Sequence, residues 1–432
     1  MSDILLIQPP LPPPMDAYVR DVVLTPPLGL CYLASILRRD YDVSILDAAI
    51  LNLDGKAILG EIKNRRPKIV GISTTTFTFK NALKIAEETK RLDRGIFTVL
   101  GGPHVTFTAE ETLKHPQVDV VVRHEGEVTM RQLSDHFLKG EGDISAIKGI
   151  TYRGEKGVVS APPQPLIEDL DALPFPSREL TPLHLYRIPA SLITSRGCPS
   201  QCIFCAAGAM SGQRYRVRSP GNIVKEVEGM IREVKPGFFF IADDTFTIFP
   251  KRVKEIGRRF RELGIRWVCE ARVNTVTEEI VEELASSGCF AIQFGVESGS
   301  QKILNSILKG ITVEQVRRAV DWCLKAGIIP VCSFMVPHPE DDWETVKETE
   351  DLMNELKGRG AQLYVSLTTP FPGTPLYDRA KELGVELITD DTDDYNLATP
   401  VLKTRNLSVE DIEKIFDRLI EISKETIPFE NM

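Results

Sequence analysis

The sequence predicts an α/β protein in which a doubly wound parallel sheet is followed by a partial (β/α)6 barrel. Strand-like and helix-like apolar patterns alternate from Asp3 to about Gly140, with short links between them. The same alternation returns after about residue 187, with six strand-like segments. A length of 432 residues also exceeds what one core usually holds. We therefore expect a sheet domain over residues 1–140, a linker over 141–186, a barrel over 187–390 and a helical extension over 391–432.

Composition is ordinary for a globular protein, with 42% hydrophobic and 26% charged residues. The net charge of -9 argues against a nucleic-acid backbone as partner, and no basic run contradicts this. The N-terminus lacks the positive flank and the long apolar run of a signal peptide, and no segment approaches 18 apolar residues. We expect a cytoplasmic protein without a transmembrane segment.

The first domain contains five predicted strand and helix pairs. Short links between the pairs favour parallel strands, whose carboxyl ends then form the ligand edge of the sheet. The predicted strands cover residues 4–7, 43–46, 69–73, 97–100 and 118–122, and the predicted helices cover 28–38, 56–65, 80–91, 109–114 and 128–138.

Small and polar residues follow three of these strands. Hydroxyl groups and paired glycines let a bulky flat ligand approach the backbone closely. A glycine pair after a strand is more simply a turn, and a single histidine there is more often a hydrogen-bonded loop residue. The candidate ligand contacts are Ser73, Thr74, Thr75, Thr76, Gly101, Gly102, His104, Glu125, Gly126 and Glu127.

The predicted linker is rich in proline, at positions 162, 163, 165, 174, 176 and 182. Proline at this spacing favours extended chain over helix. Two short β-like pieces are predicted near 149–153 and 158–159.

Three cysteines, Cys198, Cys202 and Cys205, follow a predicted strand at 190–194. Thiolates so close in sequence share one centre, and as soft ligands they suit zinc or an iron-sulfur cluster. Zinc needs a fourth ligand, and the nearest histidine is His184, on the far side of the strand. Three ligands on a four-iron cluster leave one iron open to a small molecule. The other five cysteines are scattered in apolar segments and are predicted to be core residues.

This spacing, with Phe204 just before the third cysteine, resembles the signature of the radical SAM superfamily. The resemblance implies that the three cysteines hold a 4Fe-4S cluster whose fourth iron is chelated by S-adenosylmethionine (SAM). An electron from the cluster, supplied by an external donor of flavodoxin or ferredoxin type, then breaks the sulfonium bond to give a deoxyadenosyl radical.

The remaining strands and helices suit a partial barrel like that of radical SAM proteins. Further strands are predicted at 238–241, 266–271, 291–296, 331–336 and 362–367. Helices are predicted at 222–234, 251–263, 277–286, 313–326 and 345–356, and a last helix covers 409–424.

Polar residues at the barrel strand ends match the positions where this family contacts SAM. By resemblance, Asp243 and Asp244 face the amino group, Glu270 and Arg272 end the next strand with Arg272 suited to the carboxylate, and Glu297 and Ser298 lie beside the ribose. An exposed acidic turn is the plainer interpretation of the two aspartates. His338 stands where the family usually has Gly-Leu-Pro-Gly, and it is a candidate substrate contact or proton donor, against an ordinary surface histidine.

The strand-end loops of the first domain resemble the Rossmann-like, cobalamin-binding domain that precedes the catalytic domain in one large radical SAM class. The resemblance implies that the hydroxyl-rich and Gly-Gly loops flank the nucleotide tail and corrin. One departure is that the Asp-x-His-x-x-Gly motif, which supplies an axial histidine elsewhere, is absent after the first strand. Cobalamin would therefore lack that histidine ligand.

Three functions are compatible with these observations. The resemblance favours a methyltransferase that uses the deoxyadenosyl radical and methylcobalamin to methylate an unactivated carbon or phosphorus centre of a small-molecule or lipid-like substrate. The alternative is radical cyclisation or carbon-carbon coupling, with the N-terminal domain in a non-methylating role or empty. A non-catalytic iron-sulfur sensor is the third, but it has no need for a SAM pocket.

Overall fold

The computed structural model describes residues 2–13 and 24–424. The chain forms two compact units, Met1–Pro189 and Ala190–Met432. Within the described residues, every helix is too short or too polar to serve as a membrane span.

A seven-stranded sheet forms the centre of the first unit, in the order β2-β1-β3-β4-β5-β6-β7. The strands from β1 to β5 are parallel, at the positions expected from the sequence. Both faces are apolar, because Leu5 and Ile7 enter one core cluster and Ile4 and Leu6 enter another. The strands are β1 (Ile4–Gln8), β2 (Val43–Asp47), β3 (Ile69–Ser73), β4 (Phe97–Gly101), β5 (Val120–Val122), β6 (Ile150–Gly154) and β7 (Gly157–Ser160).

Helices connect the parallel strands of this unit. Asp54 caps the second of them by accepting a hydrogen bond from the Ala57 N–H. The helix predicted at 128–138 ends as an α-helix at Ser134 and continues as one wider turn, Asp135–Lys139. The helices are Leu28–Leu37, Gly55–Arg65, Phe79–Leu92, Pro103–Phe107, Ala109–Thr112 and Glu127–Ser134.

The segment predicted as a linker is not a free connector. Its β6 and β7 add two antiparallel strands to the edge of the first sheet. Further along, the Ser177 N–H donates to the Cys31 carbonyl (3.0 Å) and the Tyr186 hydroxyl donates to the buried Asp47 carboxylate (2.7 Å). The two short β-like pieces predicted near 149–153 and 158–159 are confirmed as β6 and β7. Their pairing with the first sheet was not predicted, because all four residues of β7 are exposed and show no apolar alternation.

The second unit contains a six-stranded, fully parallel sheet in the order β15-β14-β13-β12-β11-β8. Neighbours in space are neighbours in sequence, as in a barrel, and the predicted strand positions are confirmed. The strands are β8 (Ser191–Leu192), β11 (Phe239–Ile241), β12 (Trp267–Ala271), β13 (Cys289–Glu297), β14 (Ile329–Val336) and β15 (Gln362–Leu367), with a small pair, β9 (Ser195–Arg196) and β10 (Arg216–Val217), beside them.

Helices cover the outer face of this sheet. Alternate strand residues such as Trp267, Cys269 and Ala271 enter the core shared with the helices. The intervening residues, including Glu270, face the other side of the sheet, which is the barrel interior. The helices are Ala207–Ser211, Pro220–Glu233, Pro250–Leu263, Glu278–Ser286, Gln301–Ser306, Val313–Lys325, Trp343–Arg359 and Pro375–Asp378.

The C-terminal segment completes the same core. An antiparallel pair, β16 (Val385–Leu387) and β17 (Leu402–Thr404), precedes the helix Val409–Ser423, which Ser408 caps as expected. Ile412, Ile415 and Leu419 of this helix are buried in the barrel core. The extension therefore covers the outer core instead of plugging the barrel mouth.

Candidate active site

The three signature cysteines lie on the loop that leaves the first barrel strand. The loop begins at Gly197, which has a positive φ of 93° and no room for a side chain, because a Cβ would lie 2.1 Å from the Arg214 carbonyl oxygen. Farther along, the Ile203 N–H donates to the Ile307 carbonyl (3.1 Å) and the Leu376 N–H donates to the Ile203 carbonyl (2.9 Å). The loop is thus held by the backbone on both sides.

Asp243 holds the start of this loop. Its buried carboxylate accepts four hydrogen bonds of 2.5 to 3.0 Å, from the backbone N–H and the hydroxyl of both Thr194 and Ser195. The carboxylate therefore has a structural task, and it does not line the cavity described below. The predicted contact of Asp243 with the SAM amino group stays a prediction, whereas its neighbour Asp244 lines the cavity.

All three cysteines open on one cavity of about 280 Å³ in the barrel interior. Three thiols around one space are the donor set of an iron-sulfur cluster with an open iron. In the described residues, no three His, Cys, Asp or Glu side chains converge to hold a single metal ion. The polar and aromatic residues that share the cavity with the cysteines are Ser200, Phe204, Asp244, Thr245, Glu270, Arg272, Gln293, Glu297, Lys309 and Ser333.

Glu297 and Lys309 form a buried ion pair at the cavity wall, with 2.6 Å between Oε1 and Nζ. The Lys309 ammonium also lies 5.7 Å from the ring centroid of Phe204. Gly295 leaves the necessary room, because a Cβ there would lie 2.5 Å from Glu297 Oε1 and 2.8 Å from Lys309 Nζ. The pair therefore fixes a positive and a negative group beside the aromatic residue of the cysteine motif.

Arg272 reaches the cysteine loop directly. Its Nη1 lies 3.5 Å from the Cys202 sulfur, and its Nη2 donates to the Lys309 carbonyl. The sequence places this arginine correctly at the cavity. Its contacts with a cysteine sulfur and a backbone carbonyl were not anticipated.

Glu270 and Asp244 form an acidic wall. Burial raises the pKa of Glu270 to about 7, and the neighbouring Asp244 and Asp243 add to the shift. Burial and Asp243 also raise the pKa of Asp244, while a hydrogen bond from the Gly197 N–H lowers it. A cationic ligand would relieve the crowding of these carboxylates.

Two further predicted residues, Ser298 and His338, lie outside the cavity. The buried Ser298 hydroxyl lies 3.1 Å from the Thr349 hydroxyl and accepts a hydrogen bond from the Ser300 N–H, so it stabilises the turn after β13. His338 is fully buried, with its ring 5.9 Å from that of Phe204, and burial lowers its pKa. The loop after β14 therefore buries this ring beside Phe204 instead of exposing it, and the role of His338 as a substrate contact or proton donor stays a prediction.

The loops after β3 and β4 are joined to each other in the first unit. The Thr74 hydroxyl donates to the Gly101 carbonyl (2.8 Å), and the His104 Nδ1 lies 3.1 Å from the Thr76 hydroxyl. Thr74, Thr76 and His104 are buried by these contacts, whereas Thr75 is exposed and Ser73 is half-buried. The last two retain the solvent access that a ligand contact needs.

His104 is a core histidine. Burial lowers its pKa to about 4, and its ring packs 4.3 Å from that of Phe79. Gly102 likewise serves the protein itself, because it has a φ of 105° and a Cβ would lie 2.5 Å from the Thr74 carbonyl oxygen. Both residues thus stabilise the loops, and the contact of either with a ligand stays a prediction.

The third loop, after β5, joins the same edge. The His124 N–H donates to the Thr106 hydroxyl (3.0 Å), and Glu125 accepts a hydrogen bond from the Ile167 N–H (2.8 Å). Gly126 lies against Leu33, and the buried Glu127 opens the next helix, where a negative charge suits the helix dipole. Strand order reverses between β1 and β3, and ligands of doubly wound sheets bind beside that point.

Several cavity residues were not predicted from the sequence, among them Gln293, Ser333 and Lys309. Gln293 and Ser333 face the interior and share a hydrogen bond from Nε2 to Oγ of 3.0 Å. Both are polar residues within apolar strands, so the alternation of side chains along a strand could have assigned them to the barrel interior. Lys309 could not be identified in this way, because it lies in a loop and comes close to Glu297 only in the folded protein.

Two family models match the chain. The radical SAM superfamily matches residues 192–353, and the B12 binding domain matches residues 21–134.

Curated relatives and solved structures agree with these matches. An uncharacterized methyltransferase of Pyrococcus horikoshii is 37% identical over 93% of this chain and 89% of its own. The anaerobic magnesium-protoporphyrin IX monomethyl ester cyclase of Rubrivivax gelatinosus is 31% identical over 88% of this chain and 70% of its own. A radical S-adenosylmethionine methyltransferase of Kitasatospora setae, solved with cobalamin and a [4Fe-4S] cluster, shares the fold with a TM-score of 0.77 at 18% identity, over 98% of this chain and 89% of that one.

Proposed function

This chain belongs to the radical SAM superfamily, in the group that carries a B12 binding domain, and on that premise we propose that it is a cobalamin-dependent methyltransferase. Its cofactors are a 4Fe-4S cluster, SAM and cobalamin. When bound, the cluster and SAM supply a deoxyadenosyl radical, and cobalamin supplies a methyl carrier. The residue assignments that follow are part of the proposal.

The observation that carries the proposal is the cavity that Cys198, Cys202 and Cys205 share with three carboxylates and two cations. We infer that the three thiolates bind three irons and leave the fourth to SAM. SAM has an ammonium, a sulfonium and a carboxylate, so its net charge is positive. Asp244, Glu270 and Glu297 outnumber Arg272 and Lys309, which suits such a ligand.

Each end of SAM has a candidate partner in this cavity. Asp244 is the carboxylate best placed for the ammonium, because Asp243 is already occupied by four hydrogen bonds. Lys309 and Arg272 are the cations available to the SAM carboxylate, and Glu297 lies beside them. Phe204 offers a flat apolar surface at the same wall.

The cobalamin assignment draws on the first unit. Ser73, Thr75 and Gly101 lie on interlinked loops at the carboxyl edge of a parallel sheet and are not fully buried. Small residues there allow close approach of a large flat cofactor. We propose that these residues contact cobalamin, and that Thr74, Thr76, Gly102 and His104 shape the loops that carry them.

The methyltransferase reaction is preferred to cyclisation because the Pyrococcus relative, a methyltransferase by name, shares more identity over more of both chains than the Rubrivivax cyclase. Cyclisation stays the second candidate, on the strength of the 31% identity to that cyclase. We propose a small-molecule or lipid-like substrate with an unactivated carbon or phosphorus centre. The cytoplasmic location and the external one-electron donor also stay predictions.

Single replacements of Cys198, Cys202 and Cys205 by Ala test the assignment. Each variant should lose the brown cluster absorbance and SAM cleavage, because fewer than three thiolates do not hold the cluster. Cys31→Ala is the matched control, since this buried thiol belongs to the first unit. Full SAM cleavage by Cys202→Ala would refute the proposed site.

A further inference from the structure

The backbone segment 307–310 braces the cysteine loop from outside. The Ile307 carbonyl accepts the Ile203 N–H (3.1 Å), and the Gly310 carbonyl accepts a hydrogen bond from the Asn274 side chain (3.0 Å). Between them, Leu308 is exposed and has a φ of 55°. The segment therefore contacts the cysteine loop through the backbone, while its Leu308 side chain faces solvent.

Arg272 connects this brace to a cluster ligand. One arm of its guanidinium approaches the Cys202 sulfur at 3.5 Å, and the other donates to the Lys309 carbonyl. A planar fork with fixed donors suits such a bridge, and a lysine ammonium does not reproduce it. The side chain thus ties the second cysteine to segment 307–310.

Arg272 shares its cavity with Asp244, Glu270 and Glu297. Among the described residues it forms no ion pair with a carboxylate, whereas the neighbouring Lys309 is paired with Glu297. Cys202 is only 8% exposed, so solvent screens the contact weakly. A cation at a coordinating sulfur stabilises the extra negative charge that a cluster gains on reduction.

We propose that Arg272 is a positioning residue of the cluster, which braces Cys202 and raises the midpoint potential of the bound cluster. The inference rests on the cluster assigned under the proposed function. It differs from a role for Arg272 in binding the SAM carboxylate, because its effect is present before SAM binds.

The test is a redox titration of the anaerobically reconstituted full chain without SAM, followed by electron paramagnetic resonance. Arg272→Met should move the midpoint to a more negative potential, by at least a tenfold change in the reduction equilibrium, or about 59 mV for one electron. Asn274→Ala is the matched control, because it removes a side-chain hydrogen bond to a carbonyl of segment 307–310 without touching Cys202. Its midpoint should equal that of the unmodified protein.

Arg272→Lys is the second variant for the redox titration, and it replaces Arg272→Met if that variant retains no cluster. It keeps the charge without the bridge, so its midpoint should also be more negative, by a smaller shift. Protein labelled with 15N-arginine should show a nitrogen coupling to the reduced cluster that Arg272→Lys lacks.

A cluster-loaded variant at position 272 with the unmodified midpoint would overturn the inference, and reduced SAM affinity in the same variant would then assign Arg272 to SAM alone. An unmodified protein that assembles no cluster would instead contradict the proposed function.

Discussion

At the scale of residues, the two adjacent aspartates after β11 have different tasks. The Asp243 carboxylate accepts hydrogen bonds from the backbone N–H groups and hydroxyls of Thr194 and Ser195, whereas Asp244 lines the cavity. The sequence predicts an acidic pair at this strand end, but the direction of each side chain depends on how the cysteine loop turns. The same limit applies to His338, which the loop after β14 buries.

Asp244→Asn should weaken SAM binding by roughly tenfold to a hundredfold, because it removes a charge-assisted contact worth about 1.5 to 3 kcal/mol. Cluster content should stay unchanged. Asp243→Asn is the contrasting variant, since its damage should appear as lost iron and lower stability. Calorimetric titration of SAM into both reconstituted variants decides the matter, and equal SAM affinity in Asp244→Asn and unmodified protein would contradict the assignment.

Glu270 gives SAM binding a dependence on pH. Burial, with Asp244 and Asp243, raises its pKa to about 7, so the carboxyl is neutral below this pH and ionised above it. SAM is a net cation, so its affinity should rise as the pH increases through about 7. Glu270→Gln should flatten the profile. An unmodified protein whose SAM affinity falls with rising pH would show that Glu270 does not face the ligand.

At the scale of elements, the parallel strands are the predictable part. Their apolar runs are buried on both faces in the first unit, and in the second unit alternate residues enter the core that the helices cover. Helices of ordinary length separate the strands, so the pattern alone locates them. The strands β6 and β7 were predicted as short β-like pieces, but their antiparallel pairing with the sheet was not, because β7 is exposed and its pairing depends on the turn at Gly157. Segment 307–310 has no sequence signal either, since its contacts exist only after the barrel closes.

Gly102→Ala tests the contact between the loops after β3 and β4. The new Cβ would lie 2.5 Å from the Thr74 carbonyl oxygen and 2.7 Å from its nitrogen, at a φ of 105°. The free energy of unfolding should fall by clearly more than the cost of positive φ alone, about 1 to 2 kcal/mol. Gly140→Ala is the control, because Gly140 has a φ of 73° and open space around it.

Chemical denaturation of both glycine variants supplies the measurement, and corrin content should fall with stability in Gly102→Ala. Equal losses of stability in the two variants would mean that the loops tolerate a side chain at Gly102.

At the scale of the whole molecule, each compact unit presents its candidate site at the carboxyl ends of parallel strands, which is the common rule for such sheets. The sequence predicts both edges and the cysteine motif. It does not predict which edge residues keep solvent access, because Thr74, Thr76 and His104 are buried by contacts between loops. Ligand binding at this edge therefore depends on the few residues that stay accessible to solvent.

The methyl group of SAM gives the most direct test of whether this chain is a cobalamin-dependent methyltransferase. Protein from cells grown with hydroxocobalamin is purified anaerobically, reduced, and incubated with SAM that carries a labelled methyl group. We expect the purified protein to contain bound corrin, and we expect the labelled methyl group to be recovered with that corrin. Protein that stays free of corrin yet cleaves SAM would contradict a cobalamin-dependent methyltransferase and favour the cyclisation alternative.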